Sequence, residues 1–218
     1  PESVQKDMIS ELRIADDNVL FMVGDTASTV FSSLGALRLE LGKRENLIDA
    51  DAWAPLWVVD FPLVGWNEDN NRWDALHHPF TSPHLDDLDK LDSDTGNVRS
   101  LGYDIVMNGY ELGGGSIRIH DKDLQAKIFT LLGISDDDAQ EKFGFLMDAF
   151  RFGAPPHGGM AFGFDRIIML LAGSNQIRDV IAFPKTTSAL SLMDDSPSPV
   201  SEKQLEELHL AVINDSEE

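Results

Sequence analysis

The chain has 218 residues, with 17 lysines and arginines against 38 aspartates and glutamates, which gives a formal net charge of -21 at pH 7. This acidity argues against an extended nucleic-acid-binding surface, because phosphate binding depends mainly on Lys and Arg. There is no cysteine, which excludes disulfides and thiolate zinc sites. No apolar run approaches the ~20 residues of a membrane helix, and no signal segment opens the chain, so we expect a cytoplasmic protein without a membrane partner.

The first part of the sequence has the pattern of a small αβ unit. We predict a strand over Val19–Val23 and a helix over Ala27–Leu41, whose apolar residues recur on one stripe and which ends before Gly42. A domain boundary is expected near Asp49–Trp53. The next buried strand is predicted over Trp57–Phe61, where a proline follows.

Two histidines follow a polar turn that is predicted over Asn67–Asn71. Pro79 biases the residue before it toward an extended backbone, so we expect one of His77 and His78 to point inward and the other away. No third histidine or cysteine stands at zinc spacing, and we reject a zinc site. The acidic run Asp86–Asp94 is expected to form a solvated loop or a helix start.

The most informative segment is Gly102–His120, GYDIVMNGYELGGGSIRIH. Asn108-Gly109 between two apolar-rich runs predicts a two-residue hairpin with a type I′ turn. Four cross-strand pairs follow from this turn: Met107 with Tyr110, Val106 with Glu111, Ile105 with Leu112, and Asp104 with Gly113. Asp104 therefore shares one face of the hairpin with Glu111.

Two carboxylates on one sheet face, about 7 to 8 Å apart at the backbone, repel each other unless a cation or a proton lies between them. Mg²⁺ takes oxygen ligands and typically uses one or two carboxylates together with substrate phosphates. The pair Asp104 and Glu111 is thus a candidate magnesium site. The alternative is a solvated acidic face of an ordinary hairpin.

Gly113–Gly115 lies inside a strand pattern, where glycine usually marks a bulge or a close approach of backbone to a ligand. In a regular strand Arg118 would point away from Glu111, because odd and even positions face opposite sides. We predict a bulge among these glycines. It would place Arg118 beside Glu111 and pack Ile117 and Ile119 into the core.

Helices are predicted after the hairpin. Leu124–Leu132 has a helical apolar stripe that Gly133 ends. Ser135 with Asp138 resembles a capping box for a second helix, Asp136–Phe150.

The segment Gly158–Leu171 changes from strand period to helix period near Gly163 and places Asp165 and Arg166 in the first helical turn. Free N–H groups and the dipole attract phosphate to such a helix start. Taken alone the signal is weak, since an arginine there also suits an ion pair with a nearby acid.

The last segments complete the expected architecture. We predict a strand over Val180–Phe183 and a capped helix after Ser201, with Leu205, Leu208 and Val212 facing inward. Hairpins flanked by helices indicate an α+β fold with an antiparallel sheet.

Four motifs carry a family resemblance: LHHPFTSP, GYELGGGSIRIH, GMAFGFDRIIMLL and RDVIAFPKT, which begin at Leu76, Gly109, Gly159 and Arg178. Together they resemble bacterial-type aspartyl-tRNA synthetase, a class II aminoacyl-tRNA synthetase. The resemblance runs from about Trp53 to Val212. It implies that residues 1–50 are the C-terminal part of the bacterial insertion domain. Residues 51–218 would be the C-terminal part of the catalytic domain, including motif 3.

The resemblance implies that ATP activates L-aspartate to an aspartyl-adenylate and that the aspartyl group then passes to the 3′ end of a tRNA. The partners would be L-aspartate, ATP with Mg²⁺, and a tRNA for aspartate or also for asparagine. The full-length parent is expected to be a homodimer in the cytoplasm.

The family's site residues transfer to positions of this sequence. The resemblance assigns L-aspartate to His77, His78 and Arg118, and Mg²⁺ to Asp104 and Glu111. It assigns ATP to Glu111, Gly163, Phe164, Asp165 and Arg166. The catalytic roles fall on Arg118, Arg166 and Glu111.

Other functions remain open at this point. The first two motifs of class II enzymes are absent from the chain, so it could be an inactive fragment or a paralogue that acts as a ligand-binding or interaction module. An asparagine-specific relative is disfavoured, because Arg118 suits a carboxylate better than an amide. A structural acidic module would leave the triple glycine and the paired acids unexplained.

Overall fold

In the computed structural model, which describes residues 2–15, 17–49 and 51–213, the chain divides into two compact units between Ala52 and Trp53. This division lies inside the interval Asp49–Trp53.

The first unit contains two helices, α1 (Glu2–Glu11) and α2 (Ala27–Arg44). The strand predicted over Val19–Val23 is wrong, since these residues are exposed coil. Helix α2 continues past Gly42, where we predicted its end, because one glycine costs only about 1 kcal/mol in a helix. The basic residues of its last turn also suit the helix C-terminus.

The second unit contains six strands: β1 (Pro55–Val59), β2 (Val64–Asn67), β3 (Arg72–Ala75), β4 (Gly102–Met107), β5 (Tyr110–Ile117) and β6 (Gly158–Phe162). The described part of this unit, residues 53–213, also contains four α-helices: α3 (Lys122–Leu131), α4 (Asp136–Arg151), α5 (Phe164–Leu171) and α6 (Glu202–Glu207). The main sheet is antiparallel with the order β1-β4-β5-β6, and β2 and β3 form a separate hairpin. This confirms the predicted α+β fold.

The hairpin of β4 and β5 turns as predicted, since Asn108 and Gly109 have φ angles of 51° and 85°. The first two predicted pairs, Met107 with Tyr110 and Val106 with Glu111, are confirmed. The bulge also forms, but at Leu112, one position before the glycines. Ile105 therefore pairs with Gly113 and Asp104 with Gly114, so the last two predicted pairs are wrong by one residue.

The bulge decides which side chains share a face. It brings Gly114, Ser116 and Arg118 to the face of Asp104 and Glu111. It also frees the carbonyl of Leu112, which accepts a hydrogen bond from the Gly163 N–H at 2.7 Å. The bulge thus ties the acidic face of the hairpin to the start of α5.

The prediction that two isoleucines enter the core is half right. Ile119 is 1% exposed and is confirmed as a core residue, whereas Ile117 is 41% exposed. The strand partner of Ile117 is Gly158, which has no side chain to cover it.

The helices after the hairpin form where we predicted them. Helix α3 ends before Gly133, which has a φ angle of 72°. The Ser135 hydroxyl accepts a hydrogen bond from the Asp138 N–H at 3.1 Å and caps α4. The side chain of Asp138 accepts from the same hydroxyl. The carboxylate therefore does not return to the N-cap backbone as a full capping box requires.

Two predictions for the last segments are wrong. Residues 180–183 form no strand, and Phe183 has a φ angle of 55°, which β structure excludes. The capping box of Ser201 and Gln204 is confirmed, but α6 ends at Glu207. Leu208 and Val212 are 67% and 69% exposed because the helix is too short to bring them to an inner face.

The core of the second unit lies among the β2–β3 hairpin, the end of β5 and helix α3. Its buried apolar residues are Leu63, Val64, Leu91, Val98, Ile119, Ile128 and Leu132. The segment that follows β3 carries both histidines of the LHHPFTSP motif, and its residues Thr81 and Ser82 are buried. Among the helices of the described ranges, none is long and apolar enough to cross a membrane.

Asp87 lies at a helix start, which is one of the two predicted alternatives for the acidic run, but its side chain is buried and not solvated. It lies in a 3₁₀ helix, Leu85–Leu91, and is only 1% exposed. Its carboxylate accepts hydrogen bonds from Lys90 Nζ at 2.7 Å and from Arg99 Nε at 2.7 Å and Nη2 at 3.2 Å. The Arg99 guanidinium, and then the Lys90 ammonium, hold the pKa of Asp87 well below its usual range.

We expect Asp87→Asn to lower the midpoint of urea unfolding at pH 7 by more than Asp92→Asn does. The comparison is matched because Asp92 accepts from Lys127 at 2.6 Å on an exposed surface, where ion pairs contribute little. A depressed folded-state pKa stabilises the fold above the ordinary value of 3.8, and this contribution is lost as pH falls below it. The difference between the wild type and Asp87→Asn should therefore shrink in acid. Equal midpoints at pH 7 would contradict the buried role.

Candidate functional site

A cavity of about 460 Å³ opens over the acidic face of the hairpin. Four segments line it: the loop after β3, strand β4, strand β5 with the residues after it, and the junction of β6 with α5. Its lining residues are His77, His78, Thr81, Asp104, Glu111, Leu112, Gly113, Gly114, Gly115, Ser116, Arg118, Ala161, Phe162, Gly163 and Arg166. The size is that of a small-molecule site.

The two acids of the hairpin lie together in this cavity, on the shared face that we predicted. The Asp104 carboxylate lies directly over Gly114, where a Cβ atom would overlap its Oδ1 oxygen. In the described parts of the chain, no group of three or more His, Cys, Asp or Glu side chains could hold a metal ion. Two carboxylates without further protein ligands fit Mg²⁺, which completes its shell with water and phosphate oxygens.

The other two glycines of the triplet allow the close approach of β6. A Cβ atom on Gly113 would stand 2.6 Å from the carbonyl oxygen of Ala161. One on Gly115 would overlap the carbonyl oxygen of Gly159. The outer glycines therefore serve strand packing, and the middle one makes room for the carboxylate.

Arg118 lines the cavity and has no anionic partner among the described residues. Its Nη1 atom is buried and makes no hydrogen bond, and none of the ion pairs among the described residues includes it. It shares the cavity with Glu111, as predicted, but the cation near the Glu111 carboxylate is Arg166, at 3.6 Å. A buried N–H donor of a charged group is costly when it has no partner, so this position favours an anionic ligand.

Both histidines of the loop line the cavity, contrary to the expectation that one would point away. The ring of His77 packs edge-on against Phe61, with 4.5 Å between the ring centroids. His78 Nδ1 accepts a hydrogen bond from the Phe80 N–H at 3.3 Å. Partial burial, and then the charge of Arg118, hold the pKa of His78 below its ordinary value of 6.5, so the ring is neutral at pH 7.

Two hydroxyls complete the floor of the cavity, and the sequence analysis assigned neither of them a role. Thr81 and Ser116 are 2% and 4% exposed, and the Thr81 hydroxyl donates to the Ser116 oxygen at 3.3 Å. Thr81 belongs to the LHHPFTSP motif, and strand alternation places Ser116 on the same face of β5 as Arg118. The two hydroxyls come together because an isolated β-bridge pairs Thr81 with Arg118.

The start of α5 also lines the cavity. Arg166 Nη1 donates to the Glu111 carbonyl oxygen at 2.8 Å, which fixes the helix to the hairpin. Of the residues that the resemblance assigned to ATP, Glu111, Gly163 and Arg166 line the cavity. Phe164 and Asp165 do not line it, and both are exposed.

The chain is similar to several curated aspartate-tRNA ligases. An aspartate-tRNA(Asp/Asn) ligase of Caldanaerobacter subterraneus subsp. tengcongensis is 53% identical over 205 residues, which cover 94% of this chain and 35% of the relative. An aspartate-tRNA ligase of Staphylococcus carnosus is 56% identical over 212 residues, which cover 97% and 36%. The chain thus spans about a third of the length of these curated relatives.

Among solved structures, the aspartyl tRNA synthetase from Entamoeba histolytica superposes with a TM-score of 0.49 at 27% identity, over 85% of this chain and 31% of that one. The family described as tRNA synthetases class II (D, K and N) matches residues 6–187. Because this match covers most of the chain, the protein belongs to the class II tRNA synthetases of the D, K and N group.

Proposed function

We propose that the second unit forms the aspartate and ATP site of an aspartate-tRNA ligase. Such an enzyme activates L-aspartate with ATP and transfers the aspartyl group to the 3′ end of a tRNA in the cytoplasm. The observation that carries the proposal is the buried Nη1 atom of Arg118, which has no hydrogen-bond partner among the described residues although the same cavity holds two carboxylates. The names of the relatives support the same substrate.

Arg118 is the proposed anchor of the substrate's side-chain carboxylate. A guanidinium offers two parallel N–H donors that match the two oxygens of a carboxylate. Neutral His78 and the Thr81–Ser116 hydroxyl pair supply further hydrogen-bonding groups without a competing negative charge. Asparagine would leave part of the charged fork unpaired, so the site favours aspartate.

Arg166, Gly163 and Glu111 are the proposed contacts of ATP. In the reaction an oxygen of the aspartate α-carboxylate bonds to the α-phosphorus, the bond to the bridging oxygen breaks, and pyrophosphate leaves. The attacking group is already ionised and needs no general base, so the residues mainly hold and orient the reactants. Asp104 and Glu111 would hold Mg²⁺, which supplies positive charge to the phosphate oxygens when bound.

The remaining parts of the assignment are also proposals. We assign residues 1–50 to the C-terminal part of an insertion domain and residues 51–218 to the C-terminal part of the catalytic domain. With this assignment we also propose that the parent protein is a homodimer. Its tRNA partner would be the tRNA for aspartate alone, or also that for asparagine. They are supported by the family match and by the names of the relatives.

A second candidate is a ligand-binding or interaction module without aminoacylation. Strand β1 at the sheet edge favours it, because Leu56, Trp57 and Val59 are each more than half exposed. An exposed apolar edge strand invites pairing with another chain.

Titration calorimetry of the 218-residue chain with Mg-ATP tests the nucleotide site. We expect the double variant Asp104→Ala, Glu111→Ala to lose roughly tenfold or more in affinity, because the cation loses its protein ligands. Glu68→Ala, Asp69→Ala is the matched control, since it removes two exposed acids from the β2–β3 turn. Its affinity should equal that of the wild type.

The outcomes separate the two candidates. Loss in the cavity variant alone supports a metal-nucleotide site. Equal loss in both variants would indicate a general charge effect and contradict the assigned ligands. A folded wild type that binds neither Mg-ATP nor L-aspartate would favour the interaction module.

A further inference from the structure

Gln125 on α3 lies outside the cavity but is connected to its histidine loop. The side chain is 0% exposed, and its Nε2 atom donates to the Pro79 carbonyl oxygen at 2.9 Å. Its Oε1 atom is buried and has no hydrogen-bond partner in the described part of the chain. An unsatisfied buried carbonyl is unfavourable, so the Oε1 atom of this glutamine adds no stability to the fold. The specific contribution of Gln125 is the hydrogen bond from its Nε2 atom to the Pro79 carbonyl, which holds the histidine loop.

Helix α3 makes a second contact with the same loop, one turn further on. Phe129 is 2% exposed, and its ring meets the edge of the Phe80 ring with 5.7 Å between centroids. Phe143 packs against Phe80 as well, at 5.1 Å. Helix α3 therefore holds Pro79 by a hydrogen bond and Phe80 by ring packing.

The backbone of Phe80 connects helix α3 to the His78 ring. Its N–H donates to His78 Nδ1 at 3.3 Å, while its carbonyl accepts from the Ile119 N–H at 2.9 Å. Because Nδ1 is an acceptor, a neutral His78 ring carries its proton on Nε2. The position of the Phe80 backbone thus selects the tautomer of a residue that lines the cavity.

We propose that Gln125 is a positioning residue for the amino-acid subsite, which holds His78 in the tautomer with the proton on Nε2 through Pro79 and Phe80. The proposal rests on the proposed function, since it takes aspartate to be the ligand of this subsite. The fixed tautomer donates an N–H toward a carboxylate oxygen and leaves Arg118 as the charged anchor.

The test uses the 218-residue chain with ¹⁵N-labelled histidine. In the wild type, NMR should show His78 protonated on Nε2 and unprotonated on Nδ1. In Gln125→Leu, the two nitrogen shifts should move toward the average of mixed tautomers. L-aspartate affinity should fall about tenfold, the cost of a misplaced hydrogen bond. The thermal midpoint should change little, because removal of the unsatisfied Oε1 atom offsets the loss of the hydrogen bond to the Pro79 carbonyl. Mg-ATP affinity should change little, because Gln125 does not line the cavity.

Two further variants make the test decisive. Thr130→Ala, on the exposed face of the same helix, should leave tautomer and affinity unchanged. Gln125→Met, whose unbranched side chain has the length of glutamine, should reproduce the leucine result. If neither Gln125 variant folds, the residue is structural and the proposal is overturned.

The His78 tautomer and the aspartate affinity can each contradict the proposal. A wild-type His78 protonated on Nδ1, or an unchanged tautomer and unchanged aspartate affinity in Gln125→Leu, would overturn the proposal. A wild type that binds no aspartate but shows the Gln125-dependent tautomer would contradict the proposed function and still support the positioning role.

Discussion

Replacement of Arg118 by leucine is expected to weaken L-aspartate binding by roughly two orders of magnitude while Mg-ATP affinity changes little. The guanidinium has no anionic partner among the described residues, so its interaction with a substrate carboxylate is not offset by an existing ion pair. Loss of one partner of a buried charged pair typically costs about 2 to 5 kcal/mol in binding, and 1.4 kcal/mol is about tenfold. Calorimetric titration with each ligand measures both affinities.

The conservative variant Arg118→Lys separates charge from geometry. A lysine keeps the positive charge but loses the planar fork, so its aspartate affinity should lie between those of the wild type and Arg118→Leu. The preference for aspartate over asparagine should disappear in Arg118→Leu, because leucine cannot distinguish a carboxylate from an amide. Equal losses of ATP and aspartate affinity would show that Arg118 supports the whole cavity and would exclude the assigned role.

The second large effect is expected from Gly115→Ala, which should destabilise the second unit by about 3 kcal/mol. The new Cβ atom would overlap the carbonyl oxygen of Gly159 and stand 3.0 Å from Met160 Cα. These atoms belong to the β6 backbone, so relief requires separation of β5 from β6. Urea unfolding followed by tryptophan fluorescence reports this unit alone, since all four tryptophans lie within residues 53–73.

Two neighbouring glycines provide matched controls. A Cβ atom on Gly159 would have no atom within 4 Å, so Gly159→Ala should leave the unfolding midpoint near that of the wild type. On Gly114 the new atom would meet mainly the Asp104 carboxylate, which can rotate away. Gly114→Ala should therefore keep most of the stability and lose Mg-ATP affinity. A Gly115→Ala midpoint equal to that of Gly159→Ala would contradict the strand-packing explanation.

The hairpin shows how far local rules predict the site. Asn108-Gly109 determined the turn, because few other dipeptides accept positive φ at both positions. The alternation of side chains then placed Asp104 with Glu111 and required a bulge to bring Arg118 to their face. These predictions hold because turn chemistry and strand parity act over a few residues.

The bulge position was decided by contacts between distant segments. A bulge at Leu112 frees its carbonyl for the Gly163 N–H and leaves Gly113 and Gly115 to face the β6 backbone. Neither contact is encoded in the spacing of the hairpin itself. The same holds for Asp87, whose acidic neighbours predicted solvent exposure but whose partner Arg99 lies on a separate segment.

The sequence by itself determined the hairpin turn, the capped helices and part of the cavity lining, including Asp104, Glu111 and Arg118. It could not show that Val180–Phe183 forms no strand, that both histidines line one cavity, or that Gln125 bonds to their loop. Local patterns determine which elements can form. Only the tertiary structure decides which buried donors and acceptors meet, because each of these pairs joins segments that are brought together by the packing of the core.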